Sequence, residues 1–207
     1  MRVLIACEES QTVANAFRAR GIKAWSCDLL PCSGGHPEYH LVGDAVKAAY
    51  ENWWDLIIAH PPCTYLTNTG VCWLTGRNAK EGRWELLREG AALFRKFLEH
   101  PCPRIAVENP IMHRYAIELV GRKHDQLIQP YMFGHLERKA TCLWLKGLPP
   151  LRETNNVKSE MKKLPKREQQ RLHYLPPSPD RAKLRSKTFV GIAEAMAKQW
   201  GLGKLVK

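Results

Sequence analysis

Paired C-x-x-C spacing is missing from this chain, and its seven cysteines, at positions 7, 27, 32, 63, 72, 102 and 142, are an odd number. Both features argue against a disulfide framework. No apolar stretch approaches the ~20 residues that cross a bilayer. Met1-Arg2 runs straight into Val3-Leu4-Ile5-Ala6-Cys7, leaving no space for a signal sequence. A cytoplasmic protein with reduced thiols and no membrane attachment is the expectation. Internal repeats are lacking too. Acids are scarce: 20 Asp and Glu face 32 Lys and Arg, a formal charge of +12 with a sequence pI near 9.5. That balance favours a polyanionic partner, and 207 residues suit one domain around one core.

What is present is an alternation of apolar runs with helical patterns. Val3 to Cys7 reads as a first strand, Gln11 to Arg20 as a helix closed by Gly21, Ala24 to Cys27 as a second strand ending at Asp28, and His40 to Val42 as a short third. Asp55 to Ala59 forms a fourth, and the helix after it sets Trp84, Leu87, Ala91, Phe94 and Leu98 on one stripe. Ile105 to Val107, Gln126 to Gln129 and Thr141 to Leu145 are further strands, and Ile192 to Trp200 is a helix packing back on the core. Repeated strand and helix units predict a mostly parallel, doubly wound α/β sheet covered on both faces. Trp84 and the pair Trp53-Trp54 read as core aromatics.

Two of the buried-strand runs end in loops that carry chemistry. Asp55-Leu56-Ile57-Ile58-Ala59 is followed by His60-Pro61-Pro62-Cys63, and about forty-five residues later Ile105-Ala106-Val107 is followed by Glu108-Asn109-Pro110. In open α/β sheets reactive groups collect beyond the carboxyl ends of the strands. The prolines fix φ and hold the Cys63 backbone extended at the strand exit. A cysteine facing a carboxyl and an amide suits attack on an electron-poor pyrimidine ring. His60 either hydrogen-bonds this loop or faces the base. Cys7, Cys27, Cys72, Cys102 and Cys142 read as packing residues. Cys27, Cys32, His36 and His40 have the residue types of a zinc site, but Asp28, Pro31 and Gly34-Gly35 favour a plain loop, and no metal is expected.

These residues resemble the DNA cytosine carbon-5 methyltransferases, short phage-type members in particular, over most of residues 1 to 150. Pro61-Pro62-Cys63 is similar to the family's Pro-Cys nucleophile loop and Glu108-Asn109 to its Glu-Asn motif. The resemblance implies a Rossmann-like fold, S-adenosylmethionine as methyl donor, and a target cytosine swung out of duplex DNA. Cys63 would add to ring carbon 6 and make carbon 5 nucleophilic, Glu108 would hold or protonate ring nitrogen 3, and Asn109 would orient the loop. The family's Gln-x-Arg-x-Arg strand is absent, and Lys139 with Thr141 would take over its base-holding role. Cys7, Glu8 and Ser10 stand where the family has its Gly-rich cofactor turn, Asp28 where an acid binds the cofactor ribose, Asp44 where an acid reads the adenine, and Pro61 beside the donor. Glu8-Glu9 departs from that turn, which is usually small and uncharged. Ser186 to Ala193 resembles the closing motif whose helix completes the cofactor pocket.

The implied organisation is a catalytic core at 1–150, a basic loop-rich extension for DNA at 151–187, and a C-terminal helix at 188–207. From Arg152 to Lys187 eleven Lys and Arg stand against four acids, enough to contact phosphates. Only about forty residues are available where bacterial relatives carry a target-recognition domain, so sequence reading should be short or relaxed. The same chemistry would serve RNA or attach another one-carbon group to a pyrimidine. A nucleic-acid-binding protein without catalysis is the other alternative. The sequence leaves the oligomeric state open.

Overall fold

Short aliphatic runs, apolar on both faces, make the central strands of a sheet buried from two sides. A computed structural model describes residues 1–201, so positions 202–207 of the expected C-terminal segment lie outside the described residues. The strands are β1 (Arg2–Ala6), β2 (Lys23–Asp28), β3 (His40–Val42), β4 (Leu56–Ala59), β5 (Ile105–Asn109), β6 (Gln126–Ile128) and β7 (Thr141–Lys146). They form one sheet in the order β3-β2-β1-β4-β5-β7-β6. Neighbours from β3 to β5 run parallel, and β7 alone is antiparallel to both β5 and β6. This is the mostly parallel, doubly wound Rossmann-like sheet that the sequence predicts. Strand order reverses between β1 and β4, which places the crevice for chemistry beyond their carboxyl ends.

Helices cover both faces. Leu4, Ala6, Ile57, Ala59, Ile105, Val107 and Trp144 pack toward α2 (Ala45–Tyr50), α3 (Arg83–Leu98) and α4 (Arg114–Val120). Their alternates Val3, Ile5, Leu56, Ile58, Ala106 and Leu143 pack toward α1 (Thr12–Arg18) and α8 (Val190–Trp200). Helix α3 buries Leu87, Ala91, Phe94 and Phe97, and full burial of either phenylalanine contributes roughly 2–3 kcal/mol. No helix among the described residues is long and apolar enough to cross a membrane.

Two packing expectations need correction. Trp54 is core, its indole N–H donating to the Ala48 carbonyl at 3.0 Å, but Trp53 is 70% exposed. Trp54 fills the inner site, its ring 5.8 Å from that of Trp25, which leaves its neighbour to solvent. Cys72 is exposed as well, because residues Asn68–Trp73 wind as a 3-10 turn over the surface.

The basic extension is docked rather than loose. It contains the short helices α5 (Lys158–Lys162), α6 (Lys166–Gln169) and α7 (Arg181–Ser186). Glu137, buried, accepts from the Leu172 amide at 2.9 Å and pairs with Arg171 at 3.2 Å. The Arg138 amide donates to the Gln169 carbonyl at 2.6 Å, and Met161 and Leu172 are buried. Helix α7 thereby comes to lie at the carboxyl edge of the sheet, beside the loops that follow β1 and β4.

Candidate active site

The loop after β4 is pinned from three directions. The His60 amide still donates to the Ala6 carbonyl at 2.9 Å, extending the β1 pairing one residue past the strand. Asn109, fully buried at the end of β5, donates through Nδ2 to the Pro61 carbonyl at 3.2 Å. His113 then closes the loop: its backbone amide donates to the Leu66 carbonyl, its Nε2 bonds the Tyr65 carbonyl at 3.1 Å, and its Nδ1 accepts from Ala116 to cap α4. Between these clamps Cys63 is half-buried.

Glu108 follows from register. Ala59 pairs with Val107, so the next residues out, His60 and Glu108, stand level on one face of neighbouring strands. His60 Nδ1 lies 3.5 Å from Glu108 Oε2, with the side chains 10% and 19% exposed. Burial alone would push the Glu108 carboxyl up. The hydrogen bond and charge of His60, the Lys139 ammonium and the Thr141 hydroxyl outweigh it and hold the carboxyl below its ordinary value. Thr141 opens β7 on the face that β7 turns to Glu108. Lys139 lies just before the strand and donates from Nζ to the Arg185 carbonyl of α7 at 2.7 Å.

Burial also pushes the Cys63 thiol up, and the Glu108 charge adds to that; Lys139, a hydrogen bond to the Cys63 backbone and Arg185 act in the opposite direction without prevailing. The resting cysteine is a thiol, set in the field of one acid and two cations. Arg185 was not singled out by the sequence, where it is one of many basic residues in its segment.

At the β1 exit the chain turns sharply. Cys7 and Gln11 adopt left-handed backbone angles, φ 59° and 54°. Glu8, expected among the cofactor ligands, does not face the cleft: it is 5% exposed and its carboxylate accepts from the Val13 and Ala14 amides at 2.7 and 3.2 Å. Gln11 gives α1 no side-chain cap, and an upstream carboxylate satisfies those orphan donors instead. Burial raises the Glu8 carboxyl against the opposing charge of His60 and the two amides. Glu9 points elsewhere, its carboxylate oxygens buried without a hydrogen-bond partner and Lys183 of α7 at 3.6 Å. Ser10 Oγ is 3.0 Å from Thr12 Oγ1, and Pro61 is buried beneath the loop.

Asp28 and Asp44 close this side. Asp28 Oδ1 accepts from the Leu30 amide at 3.0 Å, and Asp44 Oδ1 caps α2 from Val46 at 2.8 Å. The Cys7 thiol is pushed up to about 12, by burial first and then by the charges of Asp28, Cys27 and Asp44. Both acids act on Cys7 and each keeps one oxygen outside its turn or cap, which fits the hydroxyl and amino donors of an adenosine. The buried Glu9 carboxylate, without a hydrogen bond but 3.6 Å from the Lys183 ammonium, sits where a cation is taken. A donor carboxylate at the α1 amides does not fit, since Glu8 holds them. A cleft of about 720 Å³ between α1 and α8, lined in part by Ser10, Asn15, Gly191 and Glu194, opens nearby but contains neither Cys63 nor Glu108.

Of the four residues with zinc-ligand side chains at 27–40, Cys27 is buried against the Gly43 carbonyl and His40 bonds Ser26 Oγ and the Leu30 carbonyl. Among the described residues no group of three His, Cys, Asp or Glu is placed to hold a metal ion.

No protein-family model and no curated protein matches the chain. Among solved structures it is similar to one described as a DNA modification methyltransferase encoded within a prophage of E. coli, at 15% identity over 80% of this chain and 55% of that one, with a TM-score of 0.42. It is also similar to an rRNA methylase from Escherichia coli, at 17% identity over 70% of this chain and 55% of that one, with a TM-score of 0.38. The chain spans about half the length of each.

Proposed function

We propose that this chain methylates carbon 5 of cytosine in DNA, using S-adenosylmethionine and a transient bond from Cys63 to the base. What supports the reading is one arrangement: a half-buried cysteine on a loop clamped by Asn109 and His113, in the electrostatic reach of Glu108, Lys139 and Arg185. Fixed geometry of this kind supplies orientation before reaction.

The base would enter the cleft with carbon 6 toward Cys63. The thiol gives up its proton to solvent, the sulfur bonds carbon 6, and carbon 5 gains the electron density it needs. Covalent addition divides one hard step into easier ones. Glu108 would hold or protonate ring nitrogen 3, Asn109 holds the loop through Pro61, and Lys139 offsets charge on Glu108 and the base. The bound donor supplies an electrophilic methyl group. Asp28 and Asp44 would hold its adenosine and Glu9 its ammonium. After transfer, carbon 5 loses its proton to solvent and the sulfur leaves with its bonding pair.

The docked extension carries the charge for the backbone. Lys162, Lys163, Lys166 and Arg167 lie on or beside α5 and α6, and α7 brings Arg185 to the site. Phosphate contacts there would position the duplex, with little base reading.

Two measurements on one preparation test the reading: tritium transfer from labelled donor to DNA, and trapping on DNA containing 5-fluorocytosine. Transfer and a covalent complex, both lost in Cys63→Ser, are expected. Transfer that survives Cys63→Ser would remove the covalent mechanism. Tight DNA binding without transfer would leave a binding protein, and labelling of RNA in place of DNA would reassign the substrate.

A further inference from the structure

His60 carries more than its place beside the prolines requires. It stands at the middle of three adjacent strand ends, with Glu8 after β1 on one side and Glu108 in the last rungs of β5's ladder on the other. Its Nδ1 is engaged with Glu108 at 3.5 Å, whereas Nε2 is buried without a hydrogen-bond partner. Burying an imidazole nitrogen without a partner is costly, and the charge of His60 acts on both Glu108 and Glu8. Glu8 is committed to the α1 amides, which leaves Glu108 as the acid through which His60 can act.

Resting on the cytosine-methylation reading, we propose that His60 is a positioning residue that holds Glu108 through Nδ1 and supplies the proton Glu108 passes to pyrimidine nitrogen 3. The balance is closed. After the Cys63 thiol has lost its proton to solvent, His60 Nδ1 passes its proton to the Glu108 carboxylate, the sulfur pair forms the bond to carbon 6, and the displaced ring electrons are met at nitrogen 3 by that same proton from Glu108. Glu108 is then a carboxylate again and His60 a neutral imidazole with its proton on Nε2. When carbon 5 has taken the methyl group and lost its own proton to solvent, the carbon–sulfur bond breaks toward sulfur. The nitrogen 3 proton then returns through Glu108 to His60.

This assignment explains why a thiol pushed up by burial first and then by the Glu108 charge would still react. A proton moving from His60 onto Glu108 cancels the charge opposing the thiolate, so the acid and the nucleophile are activated together. The groups that set the pH response are the four facing His60 or its partner: Glu8, Glu108, Cys63 and Lys139, with Arg185 beyond.

The test is the pH profile of single-turnover methylation in the whole chain, for wild type and His60→Asn, with KM for DNA and donor in parallel. Asparagine keeps an amide donor near the Nδ1 position but has no proton to give. Wild type should show an acid limb from Cys63 and an alkaline limb from loss of the shared proton. In His60→Asn the alkaline limb should vanish and kcat fall about 100-fold, with both KM values within about twofold. A rate within threefold of wild type with the alkaline limb intact would overturn the proposal. So would an alkaline limb that persists in Glu108→Gln, a variant that decides the matter even if His60→Asn does not fold. Cys63→Ser separates the two readings, because activity there defeats covalent methylation itself, whatever His60 does.

Discussion

Two acids of similar sequence context, Glu8 one turn past β1 and Glu108 at the end of β5, take opposite fates. Glu108 is ringed by His60, Lys139 and Thr141 and is held ionised at a partly open edge. Glu8 is drawn inward to two backbone amides and its carboxyl is raised. The nearest unsatisfied donors decide. At β5 these are side chains on the facing strand, and at β1 they are the bare N-terminus of α1, which no residue of its own caps. An acid at a strand exit is therefore a functional group only where the backbone makes no prior claim on it.

The sharpest way to break this contrast is at Cys63, the proposed nucleophile beside Glu108. Cys63→Ser should lower methyl transfer by at least about 10³-fold, roughly 4 kcal/mol of barrier, and abolish covalent trapping, with donor binding by calorimetry unchanged. Glu108→Gln comes next. Methylation should fall about 100-fold, yet alkylation of Cys63 by iodoacetamide should become faster, since the charge that helps raise its thiol is gone. Faster labelling together with slower catalysis would be hard to obtain from a merely loosened loop, so peptide mapping should also find Cys7, Cys27 and Cys142 unlabelled, held up to about 12, 11 and 11 by burial first.

Much of the frame was legible because a buried parallel strand is an unbroken apolar run: β1, β4 and β5 fall where Val3-Ile5, Leu56-Ile58 and Ile105-Val107 announce them. The same strands place His60 and Glu108 one residue past a paired Ala59 and Val107, a juxtaposition that needs the register, which sequence alone does not give. Helices α2, α4, α5, α6 and α7 escaped because seven residues or fewer span too little of the 3.6-residue period to show a stripe, whereas the equally short α1 was legible through the Gly21 that closes it. Asp44 carried an unread signal, since Asp before Ala45-Val46-Lys47 is an N-cap. Glu8 was misplaced for the converse reason: capping by a residue three positions ahead of the N-cap has no short pattern. The inward turn of Arg185 depends on the docking of α7 by long-range contacts.

On the donor side the contrast predicts a split between neighbours. Glu9→Gln should weaken S-adenosylmethionine binding about tenfold, the value of a charged hydrogen bond near 1.4 kcal/mol, with DNA binding untouched. Glu8→Gln should leave donor affinity within twofold and instead lower stability by about 1 kcal/mol, because a carboxamide oxygen can satisfy only one of the two α1 amides. Calorimetric titration and urea melts of the two variants check this together. If Glu8→Gln were the variant that lost donor binding, the capping role assigned to Glu8 would have to be abandoned.

The smallest expected effect tests whether the β4 loop is clamped as tightly as its role demands. His113 is buried, its Nδ1 must be unprotonated to accept from Ala116, and its Nε2 proton goes to Tyr65. Burial lowers its pKa, opposed by the Tyr65 bond and aided by Arg83. For a base depressed in the fold, the stabilisation is fully present above the unfolded value near 6.5 and is lost as pH falls through the folded one, because the unfolded chain then binds the extra proton. His113→Gln should cost about 1 kcal/mol at pH 7.5, the worth of a helix cap, and the gap to wild type should narrow on acidification below about pH 6. Urea melts across that range measure it. A gap that stays constant with pH would mean the imidazole is not titrating against the fold, and the loop that presents Cys63 would then owe its placement to Asn109 and the prolines alone.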